Sequence, residues 1–407
     1  MNARTRAYVL LLLLLLLPSC SREEWHAAEG ERVPIRFSCT SGGVEVTRAD
    51  ASLTYFNTLS DGQHFAVFGW DTEDEFLPDS PNPGTPDFWN GATPVDVTFH
   101  NNNDRGKNNT YDPADLSDPM DQYWPRTLTP AYCYSFWSYY PYAAGGSNGI
   151  SLRSFGSNPS DGTVGIFDFT TQSSVANMVD FCVADVANDN VYGTTNSEWP
   201  GTVALSFHHM LTRVQFKFVR SADVDEGTTI QLMEAQLKNI YKTGTLTVKY
   251  EQRATPALGL PGTTSFAWSS QGTASDFDIT VGGVDPVDGT PGSYVTLVTS
   301  PETSARSDIF LMVPQTMLTS AAAYHQDLYL KWAVTNGSGT TYHQVTLLLD
   351  ECHPSVGDLD FAEMDWAPNK FVTYTILIGA KPIQFDEVEV KIEPWSEDVT
   401  GYYPIIA

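Results

Sequence analysis

Short segments in which apolar and polar residues alternate recur through most of this 407-residue chain. A period of two is typical of half-buried β-strands, and turns containing Gly and Pro separate the segments. No long amphipathic helix is predicted, and residues 320–324 would form one helical turn at most. The pattern predicts an all-β fold, and the short polar turns between the strands favour β-sandwiches.

Chain length predicts more than one folded unit, because a single domain usually contains about 100–150 residues. We expect a signal peptide at residues 1–19 and an N-terminal β-sandwich domain at residues 20–200. A C-terminal β-sandwich domain is expected at residues 201–395, followed by a tail at residues 396–407.

The alternation changes phase between two adjoining strands. Apolar positions are odd-numbered up to Phe207 and even-numbered from Val214. This slip predicts a bulge, a bend or a crossing between domains between His208 and Thr212. Because adjacent strand residues point to opposite faces, His208 and His209 are interpreted as core or hydrogen-bonded residues rather than ligands of one metal ion.

An edge strand that could be removed is predicted at about residues 33–39, near the start of the mature chain. Val33, Ile35 and Phe37 alternate with other residues in the period of a half-buried strand. Pro34 lies within this segment and has no N–H to give to a neighbouring strand, which is typical of a sheet edge.

The N-terminus has the pattern of an exported lipoprotein. Arg4 and Arg6 precede an apolar run at residues 8–17, which is about half of the roughly 20 residues needed to cross a bilayer. Leu-Pro-Ser-Cys at residues 17–20 looks like a lipobox, so we expect Cys20 to be lipidated and held in the outer-membrane lipid. Acidic residues follow Cys20, similar to the export signal of some surface lipoproteins. The alternative is a buried cysteine after a plain signal peptide.

The net charge of −27 at pH 7 excludes nucleic acid as a partner, because phosphate backbones would repel the chain. Four cysteines remain besides Cys20, and they are either buried thiols or members of disulfides in one of three pairings. Their scattered spacing argues against a zinc site. These cysteines are Cys39, Cys133, Cys182 and Cys352.

Motifs for catalysis or cofactor binding do not occur, so we expect no enzyme, no cofactor and no metal ion. The chain lacks G-x-S-x-G, a P-loop, H-E-x-x-H and G-x-G-x-x-G. Acidic residues recur every third position from Asp112 to Asp121, but Pro113 and Pro119 exclude a regular helix there. The segment is interpreted as a solvated loop, with calcium binding by oxygen ligands of residues 101–121 as the alternative.

An aromatic block at residues 123–142 has two interpretations. Tyr132, Tyr134 and Phe136 alternate with small residues, which favours a strand whose rings pack in the core. The alternative is a stacking platform for sugar rings.

Taken together, an ordered set of segments resembles the fimbrillin family. The set comprises the lipobox, Thr47-Arg48-Ala49 and residues 65–70, 123–141, 205–209, 311–315, 366–376 and 388–395. The resemblance implies a surface lipoprotein with two transthyretin-like β-sandwich domains in tandem, serving as a subunit or accessory component of a bacterial pilus that supports adhesion.

The resemblance also implies a route of assembly. Such precursors are cut after Arg or Lys by a trypsin-like protease, lose their first strand and join other fimbrial subunits by strand exchange. Arg48 is the best match for the processing site, with Arg32 and Arg36 as rivals. The C-terminal tail would supply the donor strand. For a donor with apolar residues in a period of two, the tail offers Val399, Tyr403 and Ile405.

A second hypothesis is an uncleaved, surface-anchored lipoprotein that binds glycans of host or microbial surfaces. Its candidate contacts are the aromatic side chains of Trp89, Trp124 and Trp199.

Overall fold

The computed structural model describes the parts of the chain that carry its strands. These are residues 35–41, 64–72, 94–98, 133–142, 148–158, 162–190, 202–251, 263–269, 272–281, 294–299, 305–317, 325–349, 365–381 and 388–394.

The strands follow the chain in this order: β1 (Arg36–Ser41), β2 (His64–Thr72), β3 (Val95–Thr98), β4 (Cys133–Tyr140), β5 (Ile150–Asn158), β6 (Thr163–Thr170), β7 (Cys182–Ala184), β8 (Ala187–Asn190), β9 (Thr202–His209), β10 (Thr212–Arg220), β11 (Thr229–Ile240), β12 (Thr243–Glu251), β13 (Thr263–Ser269), β14 (Ser275–Asp278), β15 (Val295–Thr296), β16 (Ala305–Arg306), β17 (Phe310–Met312), β18 (Asp327–Asn336), β19 (Gly339–Leu348), β20 (Lys370–Ile378) and β21 (Val388–Pro394).

The predicted all-β fold is confirmed. Within the described ranges the helical structure is a 3-10 helix at Val175–Asn177 and a single 3-10 residue at Leu349. No helix in those ranges is long and apolar enough to cross a membrane.

Two sheets contain the first nine strands together with β12 and β13. A seven-stranded sheet has the order β1-β9-β7-β4-β2-β3, with β8 also paired to β4. A four-stranded sheet has the order β13-β12-β6-β5. Alternate residues of β2 belong to different clusters: Ala66 and Phe68 pack with side chains of the four-stranded sheet, while Phe65 and Val67 pack on the opposite face. The seven-stranded sheet is therefore buried on both faces along this strand.

Two further sheets use the remaining strands. One has the order β16-β10-β20-β21, with β17 also paired to β10, and the other has the order β14-β11-β18-β19, with β15 also paired to β11. Side chains of both sheets form one core that includes Phe216, Leu232, Trp332 and Tyr374. Facing sheets with a shared apolar core are the arrangement of a β-sandwich.

The predicted phase slip coincides with a change of sheet. β9 ends at His209 in the seven-stranded sheet, and β10 begins at Thr212 in a five-stranded sheet. The chain then returns, because β12 and β13 pair with β6 and with each other. The division into domains at residue 200 stays a prediction, and strands from both sides of that residue share sheets.

The aromatic block contributes to the core where it is described. Tyr134 and Phe136 of β4 are buried, and Trp137 and Tyr139 are buried on the other face of the same strand. Packing of these rings thus follows the core interpretation, while Tyr132 lies outside the described residues.

Candidate functional site

β1 lies at one end of the seven-stranded sheet and runs parallel to β9. Its six residues pair in unbroken register, from Arg36 opposite Thr202 to Ser41 opposite Phe207. Among the described residues, β9 is the only strand paired with β1. The predicted edge strand is therefore present as an inserted strand of the fold.

Phe37 of β1 and Ile35, which directly precedes the strand, are buried, with 0% and 1% exposure. The Phe37 ring meets the ring of Phe136 edge to face, with centroids 5.3 Å apart. Apolar burial of this extent contributes about 1.5–3 kcal/mol for each side chain. β1 is thus part of the core as well as part of the sheet.

We call the residues that pack with Ile35 and Phe37 the β1 cluster. Its members are Ile35, Phe37, Phe65, Val67, Val95, Val97, Tyr134, Phe136, Tyr140, Cys182, Ala184, Val203, Leu205 and Phe207. They come from β2, β3, β4, β7 and β9 as well as from the β1 segment. Every strand of the sheet's main path therefore contributes to the cluster to which Ile35 and Phe37 belong.

A polar group continues the same face of the sheet beyond the end of β1. His209 Nδ1 lies 2.7 Å from Asp180 Oδ2 and 3.4 Å from Cys182 Sγ. All three residues are buried. The second carboxylate oxygen of Asp180 is also buried and has no hydrogen-bond partner among the described residues, so this carboxylate depends on His209.

This arrangement differs from a catalytic triad. A nucleophilic Cys–His–Asp relay needs the thiol and the carboxylate on different ring nitrogens of the histidine. Here both Cys182 and Asp180 lie at Nδ1 of His209. The geometry instead fastens strand β9 to β7, where Cys182 and His209 are register partners.

The neighbouring histidine makes a matching contact on the other face of the sheet. His208 Nε2 lies 2.9 Å from Asp185 Oδ2, and its ring lies against Phe266. The expectation that His208 and His209 point to opposite faces is confirmed. The two histidine–aspartate pairs therefore hold the end of β9 from both sides.

Among the described residues, one group has the ligand types and spacing that could hold a metal ion. It consists of Asp180, Cys182 and His209. Their ligand atoms all lie within 4.8 Å of one another, and a nitrogen, a sulfur and a carboxylate oxygen suit a zinc-like ion. The 2.7 Å contact between His209 and Asp180 is a hydrogen-bond distance, so hydrogen bonding already accounts for their positions.

Two buried tyrosines of β4 have perturbed acidities. Burial raises the pKa of Tyr140 well above its ordinary value of 10.0, and the nearby Asp180 and Cys182 raise it further. Burial, assisted by Tyr142, likewise raises the pKa of Tyr139. Removing a proton from either phenol would place a charge in the core.

These shifts predict a loss of stability at alkaline pH. Since the folded-state pKa values exceed the unfolded value, the stabilisation is complete below about pH 10 and is lost as the pH rises above it. Urea unfolding at about pH 8 and about pH 11 should show this loss. A Tyr139→Phe/Tyr140→Phe variant should lose less between the two pH values, and an identical loss would contradict the assignment.

The residues predicted for lipidation, processing, strand donation, glycan contact and calcium binding lie outside the described residues. This applies to Cys20, Arg48, Val399, Tyr403 and Ile405, to Trp89, Trp124 and Trp199, and to the acidic segment 101–121. Of the rival processing sites, Arg36 is the first residue of β1 and Arg32 is outside the described residues.

Sequence reasoning missed the group formed by Asp180, Cys182 and His209. Asp180 and Cys182 are two residues apart, which favours the same face of an extended segment. The third member is 29 residues from Asp180 along the chain, and only the register of β7 against β9 brings it close.

Comparison with known proteins assigns the family. The model of the fimbrillin-like family matches residues 47–395, a range that begins after β1. The chain belongs to the fimbrillin-like family, and the resemblance inferred from its sequence is confirmed. No curated protein sequence matches the chain.

One solved structure shares the fold at low sequence identity, and a second matches with a lower TM-score. A fimbrial protein from Bacteroides vulgatus is 14% identical, with a TM-score of 0.56, and the match covers 89% of this chain and 100% of that chain. A proposed cell adhesion protein from Bacteroides uniformis is also 14% identical, with a TM-score of 0.43 and coverage of 89% and 99%.

Proposed function

We propose that this chain is a structural subunit or accessory component of a bacterial surface fimbrium and has no enzymatic activity. The observation that carries the proposal is β1, which contributes buried Phe37 to the β1 cluster yet lies at the edge of its sheet. Family membership and the shared fold of the fimbrial protein from Bacteroides vulgatus support the same role. The protein would act at the cell surface, where fimbriae support adhesion.

Loss of β1 would leave a surface that needs a replacement strand. Ile35 and Phe37 together account for about 3–6 kcal/mol of burial, against a total stability of about 5–15 kcal/mol for a typical domain. β9 would also lose a parallel neighbour along six register pairs. An open sheet edge beside newly uncovered apolar side chains is a template for an added strand.

A cut after Arg48 is the one that would release β1 whole. A cut after Arg32 leaves β1 attached, and a cut after Arg36 leaves its residues 37–41 attached. Arg48 is the only Lys or Arg in residues 42–63, the connection from β1 to β2. The same cut would separate the folded chain from a lipid on Cys20, which would anchor the precursor in the outer membrane until then.

The replacement strand is proposed to come from the tail of another copy. Val399, Tyr403 and Ile405 are all odd-numbered and so share one face of an extended segment. Tyr403 and Ile405 also have the two-residue spacing of Ile35 and Phe37. Tail-to-groove contacts of this kind are heterologous and continue from subunit to subunit as an open filament.

Binding of a tail peptide tests the proposal. A fluorescent peptide of residues 396–407 should bind the chain that has been cut after Arg48 and freed of β1, because the β1 cluster is then open. The intact chain should not bind the peptide. Fluorescence anisotropy measures both.

A matched control is the same peptide carrying Tyr403→Asp and Ile405→Asp, which removes both apolar anchors. Equal binding of the two peptides, or equal binding to cut and intact chains, would overturn the proposed exchange.

A further inference from the structure

β19 forms a long edge of a different sheet from the one that contains β1. It is the last strand in the order β14-β11-β18-β19, and β18 is its only partner among the described residues. Ten consecutive residues pair with β18 without a register shift, from Gly339 to Leu348. The edge is therefore long and regular.

This edge lacks the features that protect the edges of sheets. Natural edge strands are usually short, charged, interrupted by proline or bulged. The sequence of β19, GTTYHQVTLL, contains no Asp, Glu, Lys, Arg or Pro. Thr, Tyr and Val favour the extended conformation.

Other edges of the described sheets carry such protection. β5 has two register shifts and Arg153, while β14 has four residues, two of which are aspartates. β21 alternates apolar residues with Glu and Lys and ends at Pro394. The remaining long uncharged edge, β13, is seven residues long against ten for β19.

The backbone of β19 offers a defined set of hydrogen-bonding groups. The Leu349 N–H donates to the Gln326 carbonyl, which continues the β18–β19 ladder. Since hydrogen-bonded and non-bonded positions alternate in an antiparallel pair, the even-numbered residues from 340 to 346 direct their N–H and C=O groups away from β18. Tyr342, Gln344 and Thr346 are among them, and all three are exposed.

The β19 edge meets the charge requirement for a contact between two copies of the chain. Copies repel one another because each has a net charge of −27, so such a contact needs a strand without charged residues, and β19 contains no Asp, Glu, Lys or Arg. β19 is also self-complementary. Antiparallel pairing of two copies about His343 places Tyr342 opposite Gln344 and Thr340 opposite Thr346, with no charged residue in the contact.

We propose that the β19 edge binds the β19 edge of a second copy of this chain, in antiparallel register, to form a two-fold dimer with one continuous sheet. This contact is lateral and leaves β1 and the β1 cluster untouched. It is therefore independent of the proposed strand exchange, and the intact chain is the correct sample for its test.

Opposite charges placed on β19 test the pairing. A Tyr342→Glu/Gln344→Glu variant places Glu opposite Glu twice in the dimer and should weaken dimerisation about tenfold or more. A Tyr342→Lys/Gln344→Lys variant should be weakened likewise. Mixing the two variants should restore a dimer, since each Glu then faces a Lys. Sedimentation velocity over a range of concentrations measures all three samples, and circular dichroism checks their folding.

A matched control places the same charges on the other uncharged edge, as Thr263→Glu/Ser265→Glu in β13, where both side chains are exposed. This variant should dimerise like the unaltered chain. A monomeric unaltered chain, loss of the dimer only in the β13 variant, or no restoration on mixing would each overturn the proposal.

Discussion

Phe37→Ala is expected to lower the free energy of unfolding of the intact chain by about 3–5 kcal/mol. Phe37 is fully buried, and its ring packs edge to face on Phe136 at a centroid distance of 5.3 Å. Because Phe37 belongs to a terminal strand of the sheet, a loss of this size would establish that the edge strand is part of the core. Urea unfolding of the intact chain measures it.

Phe37→Leu provides the matched control, since it keeps an apolar side chain in the same position. Its cost should stay below about 1.5 kcal/mol. If Phe37→Ala cost no more than Phe37→Leu, β1 would lie loosely on the sheet and its removal would open nothing of consequence.

The second large effect is expected at the buried histidine of β9. His209→Ala should cost about 3–5 kcal/mol, because it leaves the buried carboxylate of Asp180 without its partner. Both side chains of the pair are nearly inaccessible, at 3% and 5% exposure. The variant is measured by urea unfolding at neutral pH.

The adjacent histidine is the natural control for that substitution. His208→Ala removes a histidine–aspartate contact of similar length, but the side chains of His208 and Asp185 are 28% and 42% exposed. Its cost should therefore be about 1 kcal/mol or less. Similar costs for His208→Ala and His209→Ala would contradict the role assigned to burial.

The substitutions Phe37→Ala and His209→Ala affect contacts on opposite sides of β9. β9 contacts β1 on one side and is fastened to β7 by Asp180 and His209 on the other. When β1 leaves, the contacts with β7 keep β9 in the sheet. An incoming strand would need β9 in a fixed position, because β9 is the strand with which it would pair.

Local alternation of apolar and polar residues predicted two features of the fold. Alternation of Val33, Ile35 and Phe37, together with Pro34, predicted an edge strand, and the phase change between His208 and Thr212 predicted a crossing. Both predictions depend only on residues that are close together in the sequence, so the sequence alone is enough to make them. The strand and the change of sheet are present in the structure.

Which strands pair with each other across long stretches of the chain could not be predicted from the sequence. Nothing in β1 specifies that its partner is β9, more than 150 residues later, and nothing in β12 specifies its return to β6. Parallel neighbours need long connections, so the choice of partner is made by the packing of the whole core. The contact of Asp180 with His209 follows from that choice and was missed for the same reason.

The most direct test of the central claim is limited trypsin digestion of the mature-length protein, followed by mass spectrometry and light scattering. We expect a cut after Arg48, release of the fragment that carries β1, and growth of the remaining chain into a ladder of species larger than a dimer. An Arg48→Gln variant should keep β1 and its original size. A chain that is cut after Arg48 but retains its β1 fragment, or that loses the fragment without growing in size, would contradict the claim that β1 occupies an exchangeable place in the sheet.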